Sequence, residues 1–107
     1  MTKKVYISGP MTGRPDNNID EFNKAEDRLL KAGYWVLNPT SNGLADTASY
    51  EDHMRANLRM LSVADALAFL PDWEKSRGAR LEIEVAHAIN IPTRPVSDYA
   101  MGTSAWT

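Results

Sequence analysis

The run from Pro71 to Asn90, PDWEKSRGARLEIEVAHAIN, sets one carboxylate, Glu82, among alanines and aliphatic side chains near the start of a helix. On a helical wheel Glu82 shares a ridge with Ala79, Ala86 and Ile89. Glu84 falls on the far side near Arg80 and His87, where it reads as a solvated partner of its neighbours. Small residues around Glu82 leave room for a ligand, and partial burial would tune its pKa toward acid, base or nucleophile chemistry. A carboxylate in a first turn also serves the positive end of the helix dipole. Residue types alone leave both readings open.

Two polar, glycine-containing loops carry the remaining candidates. One is Gly9-Pro10-Met11-Thr12-Gly13-Arg14 and the other runs from Pro71 to Gly78, with Asp72, Trp73 and Ser76 inside it. Each feeds a helix whose free amides and dipole attract phosphate or carboxylate, although Gly9 and Gly13 fit plain turns equally well. Trp73 is either a stacking wall for a base or a loop anchor. Tyr6, in an apolar run before the first loop, needs a partner for its hydroxyl if buried, and a carboxylate would serve.

The elements that hold these loops alternate. Val5 to Ser8 reads as a buried strand stopped by Gly9-Pro10, followed by a helix opening at Asn18 with Glu21 three residues on and an apolar stripe of Ile19, Phe22, Ala25 and Leu29. Gly33 ends that helix in a left-handed cap. Tyr34 to Leu37 is a second strand. Ser49 with Asp52 opens a second helix, whose Met54, Leu58 and Leu61 face the core. Asp65 to Leu70 is a third strand, and Leu81, Val85, Ala88 and Ile89 form the inner stripe of a third helix. Ile91 to Val96, interrupted by Pro92 and Pro95, is a short or edge strand. The pattern predicts one α/β domain over residues 1–96, a flavodoxin-like or Rossmann-like three-layer sandwich with a parallel sheet of four to five strands. Residues 97–107 are an unassigned tail that includes Tyr99, Met101 and Trp106. Ligands of such sheets bind outside the carboxyl ends of the strands, where strand order reverses, which here means the two loops.

Composition excludes several classes. The chain has 107 residues, 43% of them apolar and 24% charged, with a formal net charge of −2, so it fits one folded domain with no basic field for a polynucleotide. It has no cysteine, which removes disulfides, thiolate zinc sites and cysteine nucleophiles. His53 and His87 lack HxxxH or HExxH spacing, so no metal or cofactor is expected. GxGxxG, GxxxxGK[ST] and GxSxG are absent. No apolar run suggests a signal peptide or a membrane span, and the expected location is cytoplasmic.

At these residues the sequence resembles the nucleoside 2-deoxyribosyltransferase-like family, which includes 2′-deoxynucleoside 5′-phosphate N-hydrolases and small phage-type members. The shared pattern is Tyr6-Ile7-Ser8-Gly9-Pro10-Met11, then Ala64-Asp65, then Ser76-x-Gly78-x-x-x-Glu82-x-x-x-Ala86, spread over Lys4 to Val96. The segments around Asp72-Trp73 and Ser76 to Arg80 look most like the phage-type branch. The resemblance implies a small-molecule nucleoside or nucleotide substrate and a retaining N-glycosidic mechanism. In that mechanism Glu82 attacks C1′, Tyr6 positions it, and Ser76 and Gly78 match positions that hold a 5′-phosphate. It also implies a homodimer or higher homo-oligomer in which a neighbour contributes to the site. Two departures stand out. Asn57 occupies the position of a family aspartate and cannot transfer a proton, and Thr12 stands where the phosphate hydrolases place an arginine, with Arg14 two positions away as a substitute. These departures keep open a second expectation, a nucleotide-binding protein with weak or no turnover that senses or sequesters its ligand.

Overall fold

The computed structural model describes residues 2–101, and its most deeply buried element is strand β1, Lys4–Ser8, in which Val5 to Ser8 are closed to solvent. The other elements follow in order: helix α1 (Ile19–Lys31), strand β2 (Trp35–Leu37), helix α2 (Tyr50–Ser62), strand β3 (Ala66–Phe69), helix α3 (Arg77–Ala88), strand β4 (Thr93–Pro95) and helix α4 (Val96–Ala100). The four strands are parallel, in the order β2-β1-β3-β4. This is the expected α/β Rossmann-like sandwich. The chain leaves β1 toward β2 on one side and returns to β3 on the other, so strand order reverses between β1 and β3.

Side chains alternate across β1 and build two cores. Val5 and Ile7 pack with Phe22, Ala25 and Leu29 of α1 and with Val96 and Tyr99 of α4. Tyr6 points to the opposite face, with Leu61 of α2, Leu67 of β3, and Ile83 and Ala86 of α3. Ser8, two residues on, shares the face of Tyr6. The two hydroxyl groups therefore look together at α3, and the register Tyr6↔Leu67 and Ser8↔Phe69 fixes their height beside β3.

Local chemistry sets the helix ends. Ser49 caps α2 by accepting the Asp52 amide at 3.0 Å, and Ser76 caps α3 by accepting the Ala79 amide at 3.1 Å. Gly33, at φ +96°, closes α1, and the following Tyr34 amide reaches back to the Leu29 carbonyl. Asn18 does something other than the expected capping. It is left-handed, at φ 65°, as are Asp16 and Asn17 before it, and its side-chain amide donates to the Pro10 carbonyl at 2.9 Å. The residue thus ties down the first loop instead of capping α1.

The inner face of α3 differs from the expected stripe. Ala79, Glu82, Ile83 and Ala86 are buried, whereas Leu81 is 39% and Ile89 49% exposed. The sheet beneath explains the rotation. It offers the Tyr6 and Ser8 hydroxyls, which a leucine at the contact would leave unpaired, and the alanines let the helix approach. β4 is short and lies at the sheet edge, where Pro95 costs no ladder bond. The stretch from Ser97, unassigned from the sequence, continues α4, and Tyr99 is in the core. Trp106 lies outside the described residues.

Gly9 marks where β1 passes closest to the end of β3. A Cβ there would sit 2.8 Å from both Cβ and Cδ1 of Leu70. Gly9→Ala should therefore lose about 1–3 kcal/mol in urea denaturation. The loss should shrink in a Leu70→Gly background, which removes the clashing side-chain atoms, and an equal loss in both backgrounds would show that this contact is not the constraint.

Candidate functional site

Glu82 is 4% exposed, on the inward face of α3 over the end of β1. Tyr6 Oη donates to Oε2 at 2.9 Å and Ser8 Oγ to Oε1 at 2.6 Å. Asn57, buried on α2 and lining the same cavity, also favours the ionised carboxylate. Burial is nevertheless the largest influence and raises the Glu82 pKa to about 7, the hydrogen bonds from Ser8, Tyr6 and Asn57 pulling against it. Burial, and then the charge of Glu82, keep the Tyr6 hydroxyl protonated well beyond its ordinary range, so it remains a donor. The result is a fixed carboxylate that is half ionised near neutrality.

One edge of Glu82 opens to a cavity of about 290 Å³ beyond the carboxyl ends of β1 and β2, walled by α2 and the start of α3. Gly9 and Met11 from the first loop, and Ser76 and Gly78 at the start of α3, line it together with Asn57. A cavity of this size would enclose a small-molecule ligand only partly. Its charged lining among the described residues consists of Glu82 and Asp46, without lysine or arginine. No cluster of three or more histidine and carboxylate side chains suited to a metal occurs among the described residues. None of their helices is long and apolar enough to cross a membrane.

Other expected site residues are placed elsewhere. Ser8 and Tyr6 stand behind Glu82, as its hydrogen-bond partners. Pro10 is buried, with its carbonyl held by Asn18. Arg14 is outside the cavity lining, and its guanidinium bonds Asp72 at 3.1 Å. That bond, followed by the Lys75 charge, holds the Asp72 carboxyl below its usual range. The pair ties the loop after β1 to the loop after β3, outside the cavity. Trp73 packs against Phe69, ring centroids 5.4 Å apart, as a loop anchor outside the cavity beside Glu82.

Sequence reasoning missed the wall opposite α3. Asn42, from the loop after β2, and His53, from α2, line the cavity and bond each other, with Asn42 Nδ2 3.0 Å from His53 Nδ1. Asn42 also donates to Asn57 Oδ1 at 2.9 Å. The spacing of His53 and Asn57, four apart on one helix, was the one available signal. Tyr50 carries the Arg77 guanidinium over its ring at 4.4 Å, and its buried hydroxyl has no hydrogen-bond partner.

Comparison with known proteins follows the same lines. The family described as Domain of unknown function (DUF4406) matches residues 3–94. No curated protein matches the chain. Among solved structures, a 2-deoxyribosyltransferase from the psychrotolerant bacterium Bacillus psychrosaccharolyticus superposes with a TM-score of 0.66 at 20% identity, over 84% of this chain and 69% of that one. A conserved protein from Enterococcus faecalis V583 superposes with a TM-score of 0.71 at 22% identity, over 87% of this chain, which spans 62% of the Enterococcus protein. At such identities the likeness establishes a shared fold.

The raised Glu82 pKa has a signed consequence for stability. A carboxyl that titrates near 7 when folded and near 4.5 when unfolded favours folding below pH 4.5, and that contribution is lost as pH rises to about 7. Between pH 4.5 and 8 this group should cost the wild type about 3 kcal/mol, a slope that Glu82→Gln lacks. Urea denaturation at several pH values measures it, and equal slopes in the two proteins would refute the burial argument.

Proposed function

The chain belongs to the DUF4406 family, and from that membership, its deoxyribosyltransferase-like fold and its buried glutamate we propose that it acts on the N-glycosidic bond of a 2′-deoxyribonucleoside or its 5′-monophosphate. The observation that carries this reading is Glu82, fixed by donors from β1 and α2 with one edge on a cavity beyond the carboxyl end of β1. A carboxylate in that position is built for attack on an electrophilic carbon, because its hydration shell has already been replaced by fixed dipoles.

The reaction proceeds in two steps. Ionised Glu82 forms a bond to C1′ as the C1′–N bond breaks, through an oxocarbenium-like transition state, and the base leaves with the bonding electron pair and takes up a proton. Water or a second base then attacks C1′ on the opposite face and releases Glu82, with net retention. Tyr6 and Ser8 orient the carboxylate in both steps. A 5′-phosphate would be held by the start of α3 at Ser76 and Gly78, since the cavity lining offers no cationic side chain among the described residues. Apolar surface at Leu81 and Ile89 on the outer face of α3 suits the homo-oligomer that the family resemblance implies.

A second reading rests on Asn57. An amide cannot protonate a leaving base, so a cavity that retains ligand without turnover is the rival. A panel of deoxynucleosides and their monophosphates, followed for free base by chromatography, separates the two. The enzyme reading expects base release that rises with pH through about 7, as Glu82 ionises, and falls at least about a hundredfold in Glu82→Ala. No release from any substrate, or equal release by the variant, contradicts it. Calorimetric binding without product, unchanged in Glu82→Gln, establishes the rival.

A further inference from the structure

A line of hydrogen bonds runs from the loop after β2 to Asn57, which shares the cavity wall with Glu82 and favours its ionised form, and backbone groups at its outer end fix the roles along it. The Leu44 amide can only donate, and it donates to Asn42 Oδ1 at 3.0 Å. The Ala45 carbonyl can only accept, and it takes the His53 Nε2–H at 3.0 Å. The first contact turns the Asn42 amino group toward α2. The second makes His53 the neutral Nε2–H tautomer, leaving Nδ1 to accept. One Asn42 amino hydrogen then goes to His53 Nδ1 and the other to Asn57 Oδ1. Asn57 has its oxygen committed to Asn42, so its amino group is the end that faces Glu82.

This orientation decides what Asn57 can do. Turned the other way, the amide would set its oxygen against a carboxylate in a dry site, where two acceptors repel. Held as it is, it supplies a permanent donor that neither ionises nor shares a proton with its neighbour. We propose that Asn42 is a positioning residue for Glu82, acting through Asn57, with neutral His53 as its anchor. The loop after β2, outside the glutamate's own strand and helix, thereby helps to set the ionisation and aim of the nucleophile. The kinetic part of this proposal rests on Glu82 acting as nucleophile, whereas the hydrogen-bond order does not.

Two kinds of measurement test it separately. In the wild type, ¹⁵N–¹H correlation of the His53 ring at neutral pH should show the Nε2–H tautomer; an Nδ1–H ring overturns the order of bonds. A ¹³C titration of the Glu82 carboxyl should move upward from about 7 in Asn42→Ala, because a donor to the ionised form is no longer held. In Asn42→Asp it should move further, since a carboxylate at 42 draws the Asn57 amino group away from Glu82. An unchanged midpoint in both variants overturns the proposal, and the near-isosteric Asn42→Asp carries the test alone if Asn42→Ala does not fold. With a turned-over substrate, Asn42→Ala should lower kcat on the order of tenfold and move the rise in rate to higher pH. KM should stay within about twofold, and a change confined to KM would make Asn42 a ligand contact instead. Absence of turnover in the wild type would defeat the nucleophile reading and leave the two spectroscopic results to decide the role of Asn42.

Discussion

A carboxylate buried between a helix and a sheet is the constraint on which the rest of this molecule depends. Left without partners, Glu82 would cost far more than a domain of this size can spare. The Tyr6 and Ser8 hydroxyls on one face of β1 and the Asn57 amide on α2 reduce that cost. Satisfying it fixes the rotation of α3, the height of α3 against β1 and the approach of α2. It also explains why alanines flank Glu82 on the helix, since Ala79 and Ala86 bring α3 close enough for short hydrogen bonds to form.

The cavity lies beside this carboxylate, between the loops after β1 and β2, α2 and the start of α3. Parallel strands deliver two loops to one end of the sheet, and the Arg14–Asp72 pair joins those loops across the strand-order reversal. Exposed ion pairs contribute little to stability, so this one is better understood as setting loop geometry than as holding the fold together. Asn18 acts similarly from the other end of the first loop, through the Pro10 carbonyl.

Much of this was legible in the sequence, and the remainder was hidden for identifiable reasons. The strand-helix alternation, the cap at Ser49 and the left-handed Gly33 are local signals, and each is found where the residue types place it. The prospect that a carboxylate would satisfy buried Tyr6 was also readable, since a buried phenol needs a partner. The face of α3 was misread because hydrophobicity ranked Leu81 and Ile89 above Glu82, whereas the sheet beneath demands a polar partner at that contact. Arg14 and Trp73 are of suitable type for ligand contacts but are engaged by Asp72 and Phe69. Asn42 has no periodicity to reveal it and His53 only its four-residue spacing from Asn57, because their roles depend on a loop folding back over α2.

The central claim is that Glu82 forms a covalent bond to the sugar. A nucleoside fluorinated at C2′ would slow both steps by destabilising the oxocarbenium-like transition state, allowing a glycosyl-enzyme to accumulate for intact-protein mass spectrometry. The account predicts a mass increase equal to the fluorinated sugar, mapped by peptide analysis to Glu82 and absent from Glu82→Gln. Base release by the wild type with no adduct, or an adduct on another residue that persists in Glu82→Gln, would contradict it.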